Sequence, residues 1–183
     1  MIYKLSIFKL STLCFNRLML WDRSLCINVN KASQIRALRV LFRTVSRLGD
    51  GVFWYTVMIG ILLTQGDAGT VPVLTMLAAG LTGTVIYKWI KGKTLRPRPY
   101  EVHQDIWLTG RPLDRFSFPS GHTLHAVAFT VTGLYFYPEL SMLLLPFTTL
   151  VAMSRVVLGL HYPSDVLAGA SIGGLIATLY LLI

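Results

Sequence analysis

Lys91 is followed after six residues by Arg98-Pro99; then come Pro119-Ser120-Gly121-His122, and then Ser154-Arg155 with His161 after five residues and Asp165 after three more. These residue types suit phosphoryl transfer. Lys91, Arg98 and Arg155 can neutralise phosphate oxygens, arginine with a planar fork of donors and lysine with a compact charge. Ser120-Gly121 before a helix offers an anion free backbone N–H groups and the positive helix end. Ser120 can cap that helix and also donate to a phosphate oxygen, and Gly121 lets the backbone approach closely. His161 and His122 fall on different segments, so one can attack phosphorus while the other protonates the leaving oxygen. Asp165 stands four residues after His161, on one face at helical spacing, where its carboxylate can hold the imidazole N–H. That favours His161 as the nucleophile and His122 as the proton donor. Two histidines and an aspartate can also bind zinc. Three cations around them oppose a divalent ion, so a site with no metal and no cofactor is expected.

Taken singly, each of these cations reads more readily as an anchor at the membrane interface than as a ligand. The combined set is what points to a site. His103 and His125 are set aside, with His125 at most supporting His122. Lys88, Lys93, Arg96, Arg111 and Arg115 read as solvent-facing or headgroup contacts, and Asp50, between Gly49 and Gly51, as the cap of the segment it precedes.

The elements that must position these residues are apolar. The chain has 183 residues, 54% hydrophobic and 14% charged, and its mean hydropathy is +0.59. That excludes an ordinary soluble domain and suits one membrane-embedded unit. The net charge of +9 is gathered in two blocks beside apolar segments, which fits anionic headgroups better than nucleic acid. Cys14 and Cys26 match no metal-ligand spacing, and no cleavable signal peptide is expected because Lys9, Asn16 and Arg17 interrupt the first apolar run.

Five segments can cross a bilayer, at roughly 50–65, 70–90, 121–137, 139–156 and 164–183, against a requirement of about 20 apolar residues each. Pro138-Glu139 makes the third and fourth a tight hairpin. Gly169 and Gly173 in the last segment, with Ala78, Ala79, Gly80 and Gly83 in the second, permit close helix approach, although such spacing is also ordinary membrane-helix composition. Residues 1–48 form a basic, amphipathic N-terminal region, and residues 49–183 the membrane-embedded domain. Apolar residues at Ile35, Leu38, Leu41, Phe42, Val45 and Leu48 alternate with arginines at helical spacing. This helix either lies on the membrane surface or packs on the protein's own core. The long connection from 91 to 120, rich in proline, reads as a stiff functional loop. If the segments cross alternately, Lys91, His122, Arg155, His161 and Asp165 all fall on one side of the membrane.

On these motifs the chain resembles the type 2 phosphatidic acid phosphatase superfamily, which includes the vanadium haloperoxidases. All eleven specified positions occur in order, in KGKTLRPRP, PSGH and SRVVLGLHYPSD. The resemblance implies an all-helical polytopic membrane bundle, no required metal, and a lipid phosphate or pyrophosphate substrate. It implies phosphate binding by Lys91, Arg98, Ser120, Gly121 and Arg155, a phosphohistidine at His161 supported by Asp165, and His122 as general acid. The expected function is hydrolysis of a lipid of the phosphatidic acid, phosphatidylglycerol phosphate or undecaprenyl pyrophosphate class. A phosphotransferase using the same intermediate and a non-catalytic anionic-lipid binder are the alternatives. Members often have six spans; here the amphipathic region replaces the first. The bacterial inner membrane is the expected location. With five spans all 17 Lys and Arg fall on the catalytic side, which the positive-inside rule turns to the cytoplasm, whereas bacterial relatives commonly face the periplasm.

Overall fold

The computed structural model of the chain describes residues 17–183. The first part of the basic region, with Lys4, Lys9 and Cys14, lies outside the described residues. Helix α1 covers 17–30, and a 3-10 turn leads into α2 (Arg36–Leu48), which Gly49 closes. Then follow α3 (Val52–Gln65), α4 (Thr70–Thr94), the short α5 (Pro99–Val102), α6 (Gly121–Phe136), α7 (Ser141–Val157) and α8 (Pro163–Leu181). The expected apolar segments thus match α3, α4, α6, α7 and α8 to within a few residues.

Three stretches meet the length and hydropathy of a membrane span: Val52–Val102, Pro138–Val157 and Pro163–Leu181. The 3-10 turn Gly66–Gly69 breaks the first of them into α3 and α4. At 1.5 Å per residue α4 is about 38 Å long, α8 about 28 Å and α6 about 24 Å. The outward faces of α3, α4, α7 and α8 carry large exposed apolar side chains, among them Leu63, Val85, Met142 and Leu175. Such a surface suits acyl chains and not water. The protein is an all-α membrane helix bundle.

Helix α6 is the centre of the bundle, packed by α8, α4 and α7. The glycines of α8 make its closest contact possible. A Cβ on Gly169 would stand 2.4 Å from the Ser120 carbonyl oxygen, and one on Gly173 only 2.2 Å from that of Leu124. On α4, Gly80 and Gly83 give room to Phe129 and Leu124 in the same way. The small-residue spacing therefore marks real helix contacts. Buried Trp54 packs with Phe129 and Phe147, tying α3 to α6 and α7.

The described part of the N-terminal region, residues 17–48, packs on the core. Phe42, Val45 and Ser46 of α2 are buried against α7, while Arg36, Arg43 and Arg47 are exposed. Helix α1 buries Asp22, Cys26 and Asn30. Asn30 clasps the backbone of Trp107 and donates to Val157, which holds the long connection against the end of α7.

Candidate active site

The C-terminal ends of α4 and α7 and the N-terminal ends of α3, α6 and α8 meet at one end of the bundle, around a cavity of about 310 Å³. Lys91, Arg98, Arg155, Gly121, His122 and His161 line it, with Trp54, Leu77 and Leu81 on its apolar side. Residues from three separated stretches of sequence are thereby brought together.

Lys91 stands in the last turn of α4 with its stem buried. Its Nζ donates to both Asp114 carboxylate oxygens at 2.8 Å and to the Phe116 carbonyl at 2.9 Å, which engages all three ammonium protons. Arg98 precedes α5, whose first residue is Pro99, a residue suited to that position. Arg98 Nη2 donates to Asp114 Oδ1 at 2.8 Å, Nε to the Asp114 carbonyl at 3.1 Å and Nη1 to the Leu160 carbonyl at 2.8 Å. Asp114 thus bridges the two cations. Burial opposes its charge, but Lys91 and Arg98 outweigh that and hold its carboxyl below the usual range. Nothing in the sequence pattern singled out Asp114, a lone acid in a polar loop. Arg155 leaves α7 fully buried and donates to Ser46 of α2, while its Nε has no hydrogen-bond partner among the described residues.

Ser120 caps α6 and its hydroxyl pairs with Thr123. Its backbone N–H donates to the Asp165 carbonyl at 3.0 Å, so this turn is fixed to the start of α8. The Ser120 side chain is buried and is not among the residues that line the cavity, whereas Gly121 and His122 are.

His161 sits in the short link between α7 and α8. Its Nε2 lies 3.5 Å from Arg98 Nη1. Guanidinium can only donate, so the tautomer that accepts from Arg98 carries its lone pair on Nε2 and its proton on Nδ1. Nδ1 is 3.6 Å from Asp165 Oδ2, too long for a hydrogen bond. Burial, followed by the charges of Arg155, Arg98 and Lys91, holds the imidazole well below the usual histidine range. The ring is neutral at neutral pH.

Asp165 is held from behind. Oδ2 accepts from the Tyr162 N–H at 2.8 Å, and Oδ1 from Arg96 Nη1 at 2.6 Å. Arg96 also donates to Ser164 and to buried Asp22 of α1, each at 2.8 Å, and stacks over Tyr162 at 4.1 Å. Asp22 in turn accepts from the Ser164 N–H at 2.9 Å. Arg96 is therefore no solvent-facing or headgroup contact: Asp22 and Asp165 flank it and neutralise it.

Asp50 is not a helix cap either. Gly51 takes the position before α3 with no side-chain cap, and the Asp50 carboxylate instead accepts from His122 Nε2. The partners are separated by 72 positions, beyond the reach of any local pattern. His125 lines the cavity, and its ring nitrogens lie 2.8 Å from the Gly121 carbonyl and 3.1 Å from that of Gly80. It ties α6 to α4. Lys88, Lys93, Arg111 and Arg115 are exposed.

The arrangement gathers three cations around a buried imidazole, and a second imidazole lines the same cavity. The profile of the PAP2 superfamily matches residues 69–183. The lipid A 1-phosphatase of Rhizobium etli is 27% identical over 166 residues, covering 80% of this chain and 71% of that protein. The undecaprenyl-diphosphatase of Sulfolobus acidocaldarius is 31% identical over 156 residues, covering 84% of this chain and 72% of that protein. The crystal structure of Aquifex aeolicus LpxE superposes with a TM-score of 0.76 at 26% identity, covering 87% of this chain and 94% of that one. Profile, sequence relatives and structural neighbour agree with the motif geometry: this chain belongs to the PAP2 superfamily.

Proposed function

We propose that the protein is an integral membrane lipid phosphatase that cleaves a lipid phosphate monoester or diphosphate through a phosphohistidine at His161. One observation carries this reading: buried His161, with Nε2 toward Arg98, lines a cavity ringed by Lys91, Arg98 and Arg155. A cation cluster alone binds anions; a neutral nucleophile among cations serves phosphoryl transfer.

Lys91, Arg98 and Arg155, with the backbone of Gly121 at the positive end of α6, hold the phosphate oxygens. Lys91 and Arg98 exchange Asp114 for phosphate as the group enters. His161 Nε2 attacks phosphorus, the N–P bond forms and the P–O bond to the lipid breaks. His122 gives its Nε2 proton to the departing lipid oxygen, which replaces the Asp50 carboxylate as acceptor. Asp165, fixed by Arg96 and the Tyr162 N–H, faces the Nδ1 proton and stabilises the charge that develops on the ring. Water then cleaves the N–P bond and releases inorganic phosphate. No metal enters this scheme.

Tyr55, Leu77 and Leu81 line the cavity and are also exposed on the outer surface of α3 and α4. A lipid enters laterally there, its headgroup toward the cations and its tail among apolar side chains. Five crossings by α3, α4, α6, α7 and α8, a membrane-embedded domain at 49–183 behind the basic region 1–48, and a bacterial inner-membrane location complete the proposal. The basic residues turn the catalytic end to the cytoplasm. Labelling of a cysteine placed near Gly110 by an impermeant thiol reagent in intact cells would reverse that orientation.

The test of function is phosphate release in detergent with EDTA from a panel of lipid phosphates and diphosphates. Wild type releases phosphate, while His161→Ala releases none yet still binds the lipid. Equal turnover by the variant removes His161 from the nucleophile role.

A further inference from the structure

A second cavity, of about 550 Å³, lies beside the first, and Asp50 and Leu113 line both. Its walls carry Arg43 and Arg47, four residues apart on one face of α2, and Arg111 and Thr109 of the long connection. Arg43 Nε donates to the Thr109 carbonyl, which fastens the connection to α2 and brings the third arginine to the other two. Among the described residues, Arg43, Arg47 and Arg111 form no ion pair. The one carboxylate in the wall, Asp50, is committed to His122. Thr109 lines this cavity and is 7% exposed, and its hydroxyl is buried with no hydrogen-bond partner among the described residues. A buried hydroxyl left unpaired is costly unless something supplies the partner. Ser46 also lines the cavity and accepts from Arg155 of the catalytic pocket, so the two sites share a wall.

We propose that this cavity is a second anion subsite, which takes a second phosphate: one carried by the lipid substrate, or free inorganic phosphate. Three guanidinium groups line one cavity against a single carboxylate, Asp50, which is committed to His122, and a phosphate relieves their mutual repulsion while offering several acceptor oxygens. The Thr109 hydroxyl would donate to one of them. This inference rests on the phosphatase reading and deepens it, since it sets a preference for lipids bearing two phosphates over lipids bearing one.

The test uses the full chain in neutral detergent micelles, which removes bilayer charge, with phosphatidic acid and a polyprenyl diphosphate as substrates. The Arg47→Gln/Arg111→Gln variant changes two exposed side chains and leaves the Arg43 clasp intact; Thr109→Val is the second variant. In either, the kcat/KM ratio of diphosphate to monophosphate falls about tenfold, the effect of losing a charge-assisted hydrogen bond. An unchanged ratio with weaker inhibition by inorganic phosphate assigns the subsite to free phosphate. An unchanged ratio together with unchanged inhibition overturns the proposal. A separate arm needs no turnover: calorimetric titration with inorganic phosphate gives two sites per chain for wild type and one for the double variant. A single site in wild type overturns the subsite, whereas two sites in a protein that releases no phosphate from any lipid overturn the phosphatase reading alone.

Discussion

Gly169→Ala places one methyl group where α8 crosses the start of α6. The added Cβ would lie 2.4 Å from the Ser120 carbonyl oxygen, 3.3 Å from its carbon and 3.4 Å from the Leu124 nitrogen. A carbon–oxygen contact relaxes at about 3.3 Å or more, so the helices must part by about 1 Å. Both neighbours are backbone and no side chain can swing aside. Separation here lengthens the 3.0 Å bond from the Ser120 N–H to the Asp165 carbonyl. It also moves His122 and Gly121 away from His161, one turn from the lesion. Overpacking of this kind costs about 1–3 kcal/mol in stability, and a displacement of about 1 Å at reacting groups costs about 100-fold in rate. Gly174→Ala is the control, since its Cβ would meet only Val127 at 3.8 Å. Gly173→Ala clashes as badly, at 2.2 Å from Leu124 O, but one turn deeper, so it should match the stability loss with a smaller loss of rate. Thermal unfolding and phosphate release measured side by side read both effects. Wild-type turnover by Gly169→Ala would refute the claim that this crossing sets the geometry of the site.

Asp22→Asn removes one of the two carboxylates that face Arg96, and losing a charge-assisted hydrogen bond costs about 1.5 kcal/mol; a lower unfolding temperature and a lower kcat are expected, and a change in neither removes α1 from the account. Asp114→Asn frees Lys91 and Arg98 from a competing carboxylate, so inorganic phosphate should inhibit several-fold more strongly; weaker inhibition would make Asp114 a positioning residue instead. Because burial and neighbouring cations depress the His161 imidazole, the nucleophile stays unprotonated as pH falls through the ordinary histidine value of about 6.5. The acid limb of kcat/KM should therefore lie below that value, and a limb at or above it contradicts the burial argument.

The motif residues were legible because phosphoryl chemistry restricts residue type and spacing at once, and because hydropathy alone put Lys91, His122, Arg155 and His161 at the same end of the bundle. Their supports were not legible. Asp50 between two glycines has the form of a helix cap, and only the fold brings it to His122. Arg96 has the form of an interfacial arginine until Asp22, 74 positions away, closes on it. Asp114 carries no periodic or motif signal at all. The choice between membrane surface and protein core for α2 could not be made from its pattern, because both environments call for the same apolar stripe. Phe42, Val45 and Ser46 pack on α7, while Ile35, Leu41 and Leu48 of the same stripe stay exposed.

The central claim is covalent, and trapping the intermediate tests it most directly. A lipid substrate with a radiolabelled scissile phosphate is mixed with the protein in detergent and EDTA, then quenched in alkali within the first turnover. The account predicts label on the protein at His161, absent from His161→Ala and discharged by water as phosphate. Phosphate release without protein-bound label, or label that survives in His161→Ala, would contradict it.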